Sequence, residues 1–139
     1  MKTKHFFLMS AVIVAALVMC ACNGVAPSNP NLYVEHEEGR EVSQIYYVSY
    51  VKVGADGHSG KNIVRDCKGE YTFKGKKYLM FSIPKGTWDI YMEWPTDKRY
   101  TGMQNLRETV NSRDNDWIRF DYDMTSVDYR VRQGSGEMY

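Results

Sequence analysis

Cysteine, histidine and proline are all scarce in this sequence, with three, three and four residues among 139. Cys20 and Cys22 lie near the N-terminus and only Cys67 lies beyond it, so no disulfide framework can staple the fold. His5, His36 and His58 are in no metal-ligand spacing, which leaves metal chemistry without its usual signature. An excess of one charge is missing too: 18 Lys and Arg against 17 Asp and Glu leave a net charge of +1. A balance so near zero gives no electrostatic footprint for nucleic acid, and no basic cluster marks an anionic membrane surface. One long apolar run exists, residues 6–19, broken by Ser10. It falls short of the ~20 residues that span a bilayer as a helix.

What is present starts around that run. Lys2, Lys4 and His5 precede it, and Leu17-Val18-Met19-Cys20-Ala21-Cys22-Asn23 closes it. A basic start, a short apolar middle and small residues at the end describe a secretory signal. The ending resembles the lipobox of bacterial lipoproteins, in which a small residue precedes the cysteine that receives diacylglycerol. Ala21 before Cys22 fits; the bulky Met19 makes Cys20 the poorer match. The resemblance implies a signal peptide over 1–21, with diacylglycerol and an acyl lipid on Cys22 and no further cofactor. The membrane is then a partner through the lipid, since several chains hold where one binds marginally. In enterobacteria-like sorting an aspartate after the lipidated cysteine retains a lipoprotein at the inner membrane. Asn23 therefore implies the outer membrane. Without lipidation, a Cys22–Cys67 bridge becomes available; otherwise Cys67 is expected to be buried.

Residues 22–42 read as a lipidated N-terminus and flexible tether, small and proline-punctuated at first, then acidic through Glu35, Glu37, Glu38 and Glu41. Beyond them the period is that of strands. Both faces of 43–53 are largely apolar, with Ile45, Tyr47, Ser49, Val51 and Val53 opposite Tyr46, Val48 and Tyr50, which predicts a central strand. Residues 54–61 form a glycine-punctuated loop. Short strands are expected at 62–67 and 70–73, and a longer one at 76–83 before the turn Pro84-Lys85-Gly86. Trp88, Ile90, Met92 and Trp94 alternate strictly with Asp89, Tyr91 and Glu93, placing the first set in a core and Asp89 and Glu93 in water. After Pro95, Met103, Leu106 and Val110 have helical spacing, so 95–113 reads as a short helix or irregular crossover. Ile118, Phe120 and Tyr122, then Val127, Tyr129 and Val131, alternate as a closing hairpin. Residues 133–139 read as a disordered tail. About seven short strands with turns every ~8–12 residues predict an all-β domain over 43–132, a sandwich or small barrel.

The segment Tyr78-Leu79-Met80-Phe81-Ser82-Ile83-Pro84-Lys85-Gly86-Thr87-Trp88-Asp89-Ile90-Tyr91 resembles the apolar strand, Pro-Pro-Gly turn and apolar strand of PEGA-like domains, with Lys85 where the second proline often stands. That resemblance implies a small immunoglobulin- or transthyretin-like β-sandwich, acting as a structural or binding module of bacterial envelope lipoproteins. It carries no catalytic residues to transfer.

Several constellations invite chemistry and fail on spacing. Gly57-His58-Ser59-Gly60 is one residue short of a nucleophile elbow and lacks its following helix. Asp114-Asn115-Asp116 with Asp121 and Asp123 misses the glycine and glutamate of a calcium loop, where Arg119 and Thr125 stand. These read as a polar loop, turn carboxylates and a solvated strand face. Two function classes stay open. One is a non-enzymatic envelope lipoprotein binding a protein partner in an outer-membrane assembly. The other is a secreted or surface inhibitor of a host or rival enzyme such as lysozyme, since Gly134-Ser135-Gly136-Glu137-Met138-Tyr139 resembles a Ser-Gly-x-x-Tyr loop of such inhibitors. An enzyme ranks third. Long loops on a rigid β scaffold usually carry binding, so Lys98, Arg99, Tyr100 and Arg107 are the candidate contacts.

The anchor is open to direct test. Cys22→Ser should abolish metabolic lipid labelling and leave the precursor uncleaved, because alkylation of the thiol precedes cleavage. Normal maturation and labelling of Cys22→Ser, with both lost in Cys20→Ser, would move the site.

Overall fold

The computed structural model describes residues 29–36, 45–95 and 104–139. Eight strands run in the order β1 Leu32–Glu35, β2 Tyr47–Val51, β3 Glu70–Phe73, β4 Lys76–Phe81, β5 Thr87–Glu93, β6 Asn105–Asn111, β7 Trp117–Asp123 and β8 Asp128–Gly134. They form a β-sandwich of two sheets, β3-β4-β1-β7-β8 and β2-β5-β6. Among the described residues the helical turns are 3-10 turns only, at Gly57–Ser59 and Val64–Asp66.

Alternation builds most of this. Ile90 and Met92 of β5 face Leu32, Phe81, Ile118 and Phe120 across the core, and all six are essentially inaccessible to water. Each such side chain contributes roughly 1.5–3 kcal/mol of burial free energy. The β3–β4 hairpin closes through Lys74 and Gly75, whose φ values of 49° and 77° suit the tight two-residue turn between antiparallel strands. The expected closing hairpin is β7–β8, whose register sets Asp121 opposite Arg130 and Arg119 opposite Arg132.

Several expectations are corrected. The stretch 22–42 does not remain a tether throughout, because Leu32–Glu35 is the middle strand of the larger sheet. It pairs antiparallel with β4 and parallel with β7. Residues 43–53 do not make a central strand: β2 is an edge strand. Both its faces are apolar because one packs into the core and the other lies beneath the Gly57–Ser59 turn. Residues 62–67 are not a strand; Val64–Asp66 is a 3-10 turn, and Ile63 N donates to Val48 O at 2.8 Å on the edge of β2. The expected helix or crossover at 95–113 contains strand β6. Leu106 and Val110 sit four apart, a spacing that serves a strand face as well as a helix face. The segment 133–139 is ordered against β7, where the Trp117 ring lies on Gly134 and meets the Tyr139 ring edge-on at 5.3 Å.

Asp89 is the sharpest correction. It points away from the core, as the alternation requires, yet it is only 3% exposed. Its carboxylate accepts from Thr109 Oγ1 at 2.6 Å, Arg107 Nη1 at 2.9 Å and Gly54 N at 3.0 Å. The outer face of the small sheet is therefore covered by its own loop.

Urea denaturation separates these environments. Ile90→Asp should fail to fold, since it buries a carboxylate among apolar side chains. Asp89→Asn should cost about 2–3 kcal/mol by weakening a buried charged network. Val53→Lys, on the exposed loop, should stay within about ±0.5 kcal/mol. A midpoint for Asp89→Asn equal to that of Val53→Lys would show that Asp89 is solvated after all.

Candidate functional site

Strand pairing gathers aromatic and charged side chains on the outer face of the five-stranded sheet. Arg119, on β7, is buried; its Nε and Nη2 donate to the two oxygens of Asp121 at 2.9 and 3.0 Å. The guanidinium lies 5.0 Å from the Phe73 ring centroid and 5.6 Å from that of Trp117. Its Nη1 donates to the Tyr139 carbonyl at 2.8 Å, which holds the last described residue across the sheet. Tyr78 donates to Asp121 Oδ1 at 2.6 Å; burial, and then this bond, push its phenol well above the usual tyrosine range. Tyr33 and Tyr71 meet edge-on at 5.7 Å.

Two clefts flank this row. At the N-terminal ends of β1 and β7, a cleft of about 500 Å3 is lined by Pro30, Tyr33, Tyr71, Trp117 and Met138. At the C-terminal ends, a larger cleft of about 640 Å3 is bounded by Glu35, Lys76, Asp121, Asp123, Arg130 and Arg132. The floor of the larger one is fixed by hydrogen bonds. Glu35 Oε2 accepts from Tyr122 N at 2.6 Å and lies 3.4 Å from Lys76 Nζ. Asp123 accepts from Thr125 N and lies 2.8 Å from Arg130 Nη2; the backbone hydrogen bond, chiefly, holds its carboxyl below the usual range. Arg132 Nε stands 3.6 Å from Asp121, which Arg119 already neutralises. At the side of the cleft His36 Nε2 meets Glu70 Oε1 at 2.6 Å, a hydrogen bond that lowers the Glu70 carboxyl.

A second cluster sits on the opposite sheet. Glu93 receives Tyr91 Oη, Tyr46 Oη at 2.7 Å and His58 Nε2 at 2.5 Å. The His58 ring packs edge-on against Tyr47 and Tyr91, each at 5.1 Å. Gly57 and Gly60 are explained by packing, since a Cβ on Gly57 would overlap the Tyr91 ring and one on Gly60 would meet Val51. Ser59 Oγ donates to the Asp56 carbonyl at 2.5 Å, directed away from any role as a nucleophile. The Gly57-His58-Ser59-Gly60 segment is thus a clasp over β2 and β5.

Of the sequence candidates, Cys22, Lys98, Arg99 and Tyr100 lie outside the described residues. Arg107 belongs to the clasp, bonded to Asp89 and to the Ala55 carbonyl. Cys67 is half-buried, not fully buried, and its Sγ lies 3.5 Å from the Gly69 carbonyl. Asp121 and Asp123 are not a solvated face but members of the cleft network. The tyrosines divide between faces: Tyr71 and Tyr78 on the large sheet, Tyr46, Tyr47 and Tyr91 around the clasp. Among the described residues no group of three His, Cys, Asp or Glu side chains is placed to hold a metal ion. No family model, no curated protein and no solved structure matches this chain.

The clasp should be acid-labile. Thr109, the Gly54 amide and Arg107 outweigh burial and lower the Asp89 carboxyl. Burial raises the Glu93 carboxyl, but hydrogen bonds from Tyr91, Tyr46 and His58 outweigh it and the net shift is downward. A carboxylate depressed on folding stabilises above its unfolded value of about 4 and loses that contribution as pH falls through the folded value. Amide exchange at Ser59 and Gly60 should accelerate below about pH 4 relative to the β7 core. Glu108 has the opposite sign, raised by burial and by Asp128, so Glu108→Gln should stabilise at pH 7 and give nothing at pH 3. Clasp protection independent of pH would refute the network.

Proposed function

We propose that this chain is a lipid-anchored bacterial envelope protein, held at the outer membrane through Cys22, whose β-sandwich is a non-enzymatic binding module for a protein partner. The observation that carries the reading is the pair of clefts at the two ends of the large sheet, set among tyrosine and arginine side chains. The small sheet is covered by the 54–61 loop, which Gly57 and Gly60 seat against Tyr91 and Val51, and which Gly54 N and the Ala55 carbonyl tie to Asp89 and Arg107. The large sheet presents Tyr71 at 40% exposure beside the buried Arg119 and two clefts. Tyrosine and arginine together supply rigid apolar area and planar donors, the composition that protein contact sites favour. The chemistry of the second cluster supports binding over catalysis, since His58 is braced between rings and a carboxylate while the neighbouring serine hydroxyl is turned to a backbone carbonyl. The anchor rests on Ala21-Cys22 and its apolar run.

In-cell photocrosslinking tests the face. Tyr71→p-benzoylphenylalanine should give one discrete protein adduct, and the same probe at Val53, on the loop over the other sheet, should give none. Equal adducts from both positions, or none from Tyr71, would overturn the assignment.

A further inference from the structure

We infer that the larger cleft is a docking groove for an acidic, extended segment of a protein partner, whose carboxylates are received by Lys76, Arg130 and Arg132. This rests on the binding-module reading and names the chemistry of the partner. The lining holds both signs of charge, but at different depths. Glu35, Asp121 and Asp123 form the floor, with side chains 6%, 17% and 22% exposed, whereas Lys76, Arg130 and Arg132 form the rim at 49%, 57% and 71% in the order Lys76, Arg132, Arg130. Each rim cation is paired with a floor carboxylate, Lys76 with Glu35 at 3.4 Å, Arg132 with Asp121 at 3.6 Å and Arg130 with Asp123 at 2.8 Å. Those carboxylates are also held by Tyr122 N, by Arg119 and Tyr78, and by Thr125 N, so the rim groups can turn to a ligand without leaving the floor unsatisfied. A ligand approaching from solvent therefore meets guanidinium and ammonium groups first.

The geometry of those groups favours carboxylates. Arginine presents a planar fork that matches a carboxylate with two parallel hydrogen bonds. Arg130 and Arg132 are alternate residues of β8, so both point to the same face about 7 Å apart. An extended peptide repeats its own side chains at that spacing, which lets consecutive outward carboxylates meet consecutive arginines. Apolar surface adjoins the rim at Met124, which lines the cleft and is 57% exposed; Val127, in the same β7–β8 turn, is 38% exposed. Such surface suits a peptide that carries apolar residues beside its acids better than it suits a free inorganic anion or a sulfated sugar. A volume of about 640 Å3 also exceeds what a single small anion fills.

The test uses the purified full-length chain in detergent and a fluorescein-labelled decapeptide alternating glutamate with leucine. The probe should bind with affinity that falls as salt rises, and its glutamine counterpart should not bind. Arg130→Glu with Arg132→Glu should weaken binding about tenfold or more, as reversal of rim charges does. Arg113→Glu, an exposed arginine outside the cleft, should leave it unchanged. If the double reversal fails to fold, Arg130→Gln with Arg132→Gln gives the same comparison. Equal binding of the glutamate and glutamine peptides, or equal loss in Arg113→Glu, overturns the groove. So does tighter, competitive binding of a heparin-derived hexasaccharide, or full competition by inorganic sulfate at equal ionic strength. A Tyr71 adduct in cells alongside any of these results would leave the binding module standing and remove only the acidic partner.

Discussion

The large sheet depends on one short strand being seated between two hairpins. Without β1, the β3–β4 and β7–β8 hairpins would share no edge, and an isolated two-stranded hairpin is marginal in water. Asn31 guides the entry. Its side-chain amide donates to Ile83 O and accepts from Ile83 N, both at 2.8 Å, copying the pattern of a paired backbone. Its main chain continues the pattern, accepting from Ile118 N at 2.8 Å and donating to Phe81 O at 3.0 Å. Leu32 and Val34 then enter the core, and Glu35 ends the strand by capping Tyr122 N while its carbonyl accepts from Tyr129 Oη at 2.8 Å. Both clefts are bordered by this segment, through Pro30 and Tyr33 at one end and Glu35 and His36 at the other. The same residues that close the sheet therefore shape its outer face.

A second constraint acts on the small sheet. With β5 at its centre and edge strands on either side, its outer face would expose Asp89, Tyr91 and Glu93 to water. Instead each finds donors or rings from the 54–61 loop, from β2 or from β6. The cost of burying Asp89 is offset by three hydrogen bonds, one of them from a guanidinium that remains partly in solvent. Burial and the adjacent Glu93 carboxylate push the Tyr91 phenol up to about 12, which keeps it a donor at any physiological pH. Covering one face this way leaves the large sheet, with its two clefts, as the platform proposed for binding.

Much of the sandwich was legible in the sequence wherever a strand has a solvent side and a core side. β5, β7 and β8 read correctly because Ile90, Met92, Ile118, Phe120 and Tyr129 alternate with polar residues over a long enough span. β1 is hidden in the sequence because its four residues sit between prolines and acids. The alternation of Leu32 and Val34 with Tyr33 is too short to outweigh that setting. β6 resembles a helix in sequence because Leu106 and Val110 satisfy both periods, and Glu108 between them is polar on a strand's inner side. Asp89 misled for a different reason: alternation gives direction, not exposure, and what covers an outward residue is a loop distant in sequence. The larger cleft was invisible on the same ground. Residues 35, 76, 121 and 130 meet only after β1 is inserted, and local pattern carries no information on pairing partners.

The position of β1 also relates the proposed anchor to the platform. From Cys22 to Leu32 is about ten residues, a reach of at most roughly 35 Å even when fully extended. A lipid on Cys22 would thus keep the start of β1 within roughly 35 Å of the bilayer surface. The smaller, aromatic cleft lies at that start, beside Pro30 and Tyr33. The larger, cation-rimmed cleft lies past the other end of β1, roughly 13–20 Å further along at about 3.3 Å per residue. Because the tether can be longer than this separation, an anchored molecule would have room to turn its arginine end toward the aqueous partner. Turned so, the charge at that end would escape the lipid headgroups, since surface potentials fade over about 8–10 Å at physiological salt. With the proposed lipid on Cys22, rim arginines turned away from the bilayer would meet a soluble acidic segment rather than the membrane carrying the anchor.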